Sequence, residues 1–183
     1  MAINFRDTKQ YKKGNLGMRL VDEHLIKKGY IPYSPDAINK RHPFDRLVAK
    51  DDKTMIFIAE GKTKPARIYY PDTGIDIKNY NEYLYISKKY NLRIFLFFVD
   101  EDKKEIYGNW LDILDKEIPE ATTLKATARR LNFPVPEFYP LREKGIIYFP
   151  LKLMRTICKL TEEQAEEIKK FTTRAVEYEK KST

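Results

Sequence analysis

The stretch from His42 to Lys62 reads HPFDRLVAKDDKTMIFIAEGK, and its pattern decides the fold. Phe44 to Ala49 and Met55 to Glu60 are rich in β-formers, and the polar run Lys50-Asp51-Asp52-Lys53-Thr54 between them suits a hairpin turn. Asp45 opens the first strand and Glu60 closes the second, fifteen residues apart. Antiparallel partners lie only about 4.8 Å from each other, so the outer ends of the hairpin bring the two carboxylates side by side. Side chains alternate along a strand, so Glu60 and Lys62 share one face and Gly61 points away from it.

A carboxylate pair with an ammonium beside it is equipped for chemistry. Two carboxylates and the Gly61 carbonyl are hard oxygen donors that suit Mg²⁺ or Mn²⁺, an ion that would keep several waters. Lys62 could orient or deprotonate an attacking water, or neutralise charge developing on phosphorus. A solvated hairpin end with an incidental ion pair is the plainer alternative. It leaves unexplained why Glu60 follows Met55-Ile56-Phe57-Ile58-Ala59 with no polar residue between. Lys64 and Arg67 continue the basic character past the strand and are candidates for holding a phosphate.

Working outward, Leu16, Leu20, Val21 and Leu25 recur at helical spacing and predict a first helix over Asn15 to Lys28, closed by Gly29. A short strand from Tyr30 leads into a loop marked by Pro32 and Pro35. Beyond the hairpin, Tyr70-Pro71-Asp72-Thr73-Gly74 reads as punctuation, and Lys78 to Tyr90 reads as a second helix whose Tyr80, Tyr83 and Tyr85 read as core, with a role in shaping a substrate groove as the alternative. Leu92 to Val99 is almost continuously apolar, as in a strand covered on both faces, and Glu105 to Trp110 is its partner. The order α, β, β, β, α, β, β predicts an α/β mixed sheet flanked by helices over residues 1–110. Residues 111–183 are expected to form a mostly helical appendage packed on that core. Its signals are short helices near Leu111 to Leu114 and Thr123 to Leu131, a strand over Gly145 to Phe149, and a capping box, Thr161-Glu162-Glu163-Gln164, opening a helix toward Glu179. That helix could cover the core or meet a second subunit, so a homodimer is one reading.

Composition limits the partners. Lys and Arg number 35 against 27 Asp and Glu, a net charge of +8 that favours a polyanion, nucleic acid before membrane. The single Cys158 excludes an internal disulfide or a CxxC zinc site, and two histidines are too few for a histidine-rich metal centre. The longest apolar run, Ile94 to Val99, has six residues where a spanning helix needs about 20. The charged N-terminus is unlike a signal peptide, so a cytoplasmic location with no membrane partner is expected.

At Pro43-Phe44-Asp45 and Glu60-Gly61-Lys62 the sequence resembles the PD-(D/E)xK nuclease superfamily, with one residue inserted between the Pro and the Asp. The resemblance extends over roughly residues 14–110 in element order and implies a restriction-endonuclease-like or Holliday-junction-resolvase-like core. It implies that Asp45, Glu60 and the Gly61 carbonyl hold Mg²⁺, with Mn²⁺ able to substitute, and that Lys62 serves the attacking water. The reaction it implies is endonucleolytic hydrolysis of DNA phosphodiesters, leaving a 5′-phosphate.

One position departs from the resolvase-like pattern. Where those members carry a helix-one Glu shortly after a Gly, this chain has Met18. Asp22 lies about 40° away around the helix and could substitute, whereas Glu23 would lie about 140° away. The departure motivates a second expectation, a catalytically impaired nuclease-fold module that binds DNA without cutting it. A basic scaffold for an acidic protein is a third.

Overall fold

In the computed structural model the described residues are 8–35, 43–50, 55–67, 70–116 and 145–172. The expected helix at Thr123 to Leu131 and the helix continuation toward Glu179 lie outside them, as does His42. The first helix, α1, spans Lys9–Lys27 and starts earlier than periodicity suggests, because Thr8 caps it by accepting from the Tyr11 amide. Gly14, which precedes the expected start at Asn15, is an interior residue of α1.

Six strands form one mixed sheet in the order β1-β2-β3-β5-β6-β8. They are β1 Tyr30–Tyr33, β2 Arg46–Lys50, β3 Ile56–Thr63, β5 Ile94–Asp100, β6 Glu105–Trp110 and β8 Arg155–Lys159. The expected hairpin is β2 against β3, antiparallel from Arg46↔Ala59 to Ala49↔Ile56. The β3 strand then runs parallel to β5, from Ile58↔Ile94 to Thr63↔Val99, after a crossover through α2, Ile77–Tyr90. A parallel pair needs a crossover connection, and here its helix α2 covers one face of the sheet.

Two strands differ from the sequence reading. Asp72–Asp76, read as a turn on account of Pro71 and Gly74, is strand β4, and it pairs with β7, Ile146–Pro150, in a small antiparallel sheet. Strand β8 has no counterpart in the reading and closes the edge of the main sheet against β6. Short strands with one or two apolar residues carry too weak a period to stand out alone. The remaining described helices are α3, Leu111–Lys116, and α4, Glu162–Lys169, which has the expected Thr161–Gln164 capping box. None of the described helices is long and apolar enough to cross a membrane.

Every residue of β5 is buried, and strand alternation sends them to two separate cores. Phe95, Phe97 and Val99 join Leu16, Leu20, Val21 and Leu25 of α1 and Ile168 of α4. Ile94, Leu96 and Phe98 join Tyr80, Tyr83 and Ile86 of α2 with Leu111, Leu114 and Phe149. The same alternation along β3 sends Phe57 and Ala59 to the α1 side and Ile58 to the α2 side. Glu60 and Lys62 therefore belong to the α2 face and Gly61 to the α1 face, as the period of two requires.

The closest approach in the sheet is at Gly108 of β6, where a β-carbon would overlap the carbonyl oxygen of Leu96. Backbone cannot retreat as a flexible side chain can. Gly108→Ala is expected to cost about 2 kcal/mol or more of unfolding free energy, read as a lowered urea midpoint with unchanged slope.

Candidate active site

The site forms where β2 and β3 part company. Their ladder ends at Arg46↔Ala59, and beyond it the Asp45 and Gly61 amides lie outside the backbone ladder of the hairpin. Unpaired buried amides are costly, and here the two carboxylates satisfy them. Glu60 Oε2 accepts from the Asp45 amide at 3.1 Å, and Asp45 Oδ2 accepts from the Gly61 amide at 2.9 Å. The expected convergence of Asp45 and Glu60 is thus a reciprocal lock, each side chain holding the backbone beside the other.

The amides of Ile58 and Lys64 both donate to carbonyls of the β5 side. Backbone groups alternate along a strand, so Gly61 directs its amide and carbonyl the other way, toward Asp45. Two carboxylates and that carbonyl form a hard-oxygen set. Among the described residues no three Asp, Glu, His or Cys side chains gather as a metal cage. The set fits a cation such as Mg²⁺, which is commonly held by one or two carboxylates and retains water, better than one needing a full protein shell.

Glu60 is only 4% exposed, and burial raises its carboxyl pKa, against the pull of the Lys62 ammonium. Lys62 Nζ donates to Glu60 Oε1 at 2.8 Å. Burial alone would push Lys62 down, but Glu60, Asp45 and Asp76 outweigh it and the net shift is upward. Lys62 is therefore firmly an ammonium in this arrangement. Tyr83 of α2 completes the cluster: its hydroxyl donates to Glu60 Oε1 and accepts from Lys62 Nζ at 3.3 Å. Burial, then Glu60, raise its pKa far beyond reach, so Tyr83 stays a phenol donor.

Two clefts meet at this cluster. One, of about 400 Å³, lies on the α2 side and is lined by Glu60, Lys62 and Asp45 together with Asn79, Glu82 and Tyr83. The other, of about 480 Å³, lies on the α1 side and is lined by Asp45, Gly61 and Lys62 together with Gly14, Asn15 and Met18. Asp45 and Lys62 line both. A linear substrate could cross the strand end from one cleft into the other, with its reacting group over the carboxylates.

Other sequence candidates fare differently. Met18 packs directly on Gly61, so closely that a β-carbon there would overlap its sulfur, and the helix-one position holds a thioether where a carboxylate was sought. Asp22 is engaged by Arg46 and lines neither cleft. Its two oxygens accept from Arg46 Nε at 3.1 and 3.0 Å, and Arg46 Nη1 donates onward to the Asp45 carbonyl at 2.8 Å. Asp22 thus braces Asp45 through Arg46, while its burial raises its own carboxyl pKa. Arg67 forks onto Asp72, with Nε 2.6 Å from Oδ1, and lies between the rings of Tyr70 and Tyr148 at 4.2 and 3.8 Å. Lys64 is half-buried, and desolvation lowers its pKa, with Asp76 opposing. Neither Lys64 nor Arg67 lines the two clefts.

Tyr83 is the site residue that sequence reading assigns to the core. Its ring is core, as the spacing with Tyr80 indicates, and only its oxygen enters the site. Asn79, one turn earlier, shares the cleft and had no sequence signal beyond that spacing.

The buried pair makes a signed prediction. In Lys62→Ala, Glu60 keeps its desolvation and loses its cation, so its folded pKa rises further above the unfolded value. Stability should then be retained at acid pH and lost as pH rises through the folded pKa, by about 3 kcal/mol at pH 8. Thermal unfolding across pH 4–8 reads this, and a Glu60→Gln, Lys62→Ala double variant should lose the pH dependence.

No family model matches the sequence, and no curated protein matches it. Among solved structures, the chain is similar to the 1.6 Å structure of Hjc, a Holliday junction resolvase from the archaeal hyperthermophile Archaeoglobus fulgidus. The match has 11% identity and a TM-score of 0.47, and covers 83% of this chain and 99% of that one, a likeness too distant to speak for any residue of the site.

Proposed function

We propose that this chain is a Mg²⁺-dependent DNA endonuclease acting in the cytoplasm. The carrying observation is the meeting of Asp45, Glu60 and Lys62 at the junction of two clefts, with Glu60 buried at the end of a core strand. A desolvated carboxylate is expensive to keep, and accepting from one backbone amide does not require a charged group. The +8 charge of the chain supplies the long-range attraction for a polyanion.

Asp45, Glu60 and the Gly61 carbonyl would hold the ion, which when bound supplies charge neutralisation at a phosphoryl oxygen and an acidified water. The protein's own residues do the rest. The Gly61 amide orients Asp45 and the Asp45 amide orients Glu60, so neither carboxylate swings freely. Lys62 brings a positive charge over the same cleft, where it can hold a water or stabilise charge on phosphorus. Tyr83 fixes the Glu60 rotamer and shares Lys62, a positioning role.

A second reading, a nuclease-fold module that binds DNA without cutting, has one specific observation in its favour: Met18 over Gly61, with Asp22 committed to Arg46. Incubating the wild type with duplex, branched and single-stranded DNA in Mg²⁺ or Mn²⁺ separates the two. The endonuclease reading expects metal-dependent cleavage that falls at least 1,000-fold in Asp45→Ala and Lys62→Ala. Tyr83→Phe should lose about 10-fold in kcat with little change in KM. Cleavage that survives both Asp45→Ala and Lys62→Ala sinks the assigned site. Absent cleavage together with no calorimetric Mn²⁺ uptake, and DNA affinity unchanged by Glu60→Ala, supports the binding module.

A further inference from the structure

Tyr33, at the end of edge strand β1, is 53% exposed, although its backbone is paired into the sheet. It pairs with Leu47, and Leu47 pairs with Ile58, so all three share the α2 face of the sheet, the face of Glu60 and Lys62. The adjoining row on that face is Ile31, Ala49 and Ile56, with Ile31 41% and Ile56 52% exposed. These side chains form an apolar and aromatic platform that α2 leaves uncovered.

Its position relative to the site follows from the sheet. Leu47, the partner of Tyr33, lies two residues from Asp45 on the same strand run. With about 3.3 Å per residue and 4.8 Å between strands, the α-carbons of Tyr33 and Asp45 are about 8 Å apart. The mounting is rigid. Pro32 fixes the backbone before Tyr33, and Ser34 after it accepts from Arg46 Nη1 at 3.2 Å, the same guanidinium that braces Asp45 through its carbonyl. One network therefore sets both the carboxylate and the exposed ring.

We infer that this platform receives unpaired nucleobases of the DNA strand whose phosphate lies at Asp45, with Tyr33 as the stacking residue, an inference that rests on the DNA reading of the site. A preset ring beside a phosphodiester site is what base stacking requires, and stacking tolerates any sequence because every base has a π-face. A base in an intact duplex is already stacked, so the platform selects single-stranded, flapped or branched substrates over continuous duplex. The proline in β1 disfavours the main competing occupant, a second copy adding its strand at this edge.

Binding of the full chain to a single-stranded oligodeoxynucleotide and to the duplex of the same sequence, in EDTA, reads the platform apart from cleavage. Tyr33→Ala should weaken single-strand binding about 5- to 100-fold and duplex binding less than 2-fold, with Tyr33→Phe close to wild type. Tyr33→Trp should show emission quenched by the oligonucleotide. Equal losses on both DNAs, no loss on the single strand, or a concentration-dependent dimer that Tyr33→Ala disrupts would each overturn the inference. A wild type that cuts nothing but binds through Tyr33 overturns the endonuclease reading and keeps the platform. A wild type that cuts, with Tyr33→Ala unaltered on unpaired DNA, does the reverse.

Discussion

The site depends on one constraint, the point at which β2 leaves β3. Hydrogen-bonded pairing ends at Arg46↔Ala59 while β3 continues beside β5 for several residues more. The amides left over at Asp45 and Gly61 need acceptors in a partly dehydrated place, and Asp45 and Glu60 provide them. Because each carboxylate is bound to the backbone next to the other, their separation is set by peptide geometry and not by side-chain freedom. Strand β3 can hold that geometry because its opposite edge is tied to β5, whose seven residues are all buried.

Electrostatics at this junction are a balance of large opposed terms. Burial drives Glu60 toward the neutral acid and Lys62 toward the neutral amine, and their contact at 2.8 Å opposes both. For Lys62 the surrounding Asp45, Glu60 and Asp76 prevail; for Glu60 burial prevails. A site in this condition carries a strong local field in a low-dielectric setting, where one added charge changes protonation more than it would at the surface. The Tyr83 hydroxyl sits between the two and exchanges a hydrogen bond with each.

A further layer of contacts lies on the α1 face of the sheet. Arg46 binds Asp22 of α1, the Asp45 carbonyl and Ser34, so the helix, the β2–β3 hairpin and the end of the edge strand share one guanidinium. Removing a forked guanidinium of this kind leaves several acceptors unpaired at once, which makes Arg46 a structural keystone of the site and not a spare phosphate contact. Arg67 has the same character, since Asp72 and two tyrosine rings occupy it.

Much of this was legible in the sequence where the signal is local or periodic. The period of two along Ile56 to Lys62 determines that Glu60 and Lys62 share a face and that Gly61 opposes them, and the apolar run at Ile94 to Val99 determines a strand buried on both sides. The capping box at Thr161 marks its helix because the bonds that make it lie within three residues. Tertiary structure decided what depends on distant partners. Tyr83 reads as core because its ring is core, and only the packing of α2 on β3 brings its oxygen to Glu60. Asp22 lies at a plausible angle on its helix, yet Arg46 claims it first. Strands β4 and β8 exist because β7 and β6 offer them ladders, a stabilisation that no five-residue window contains.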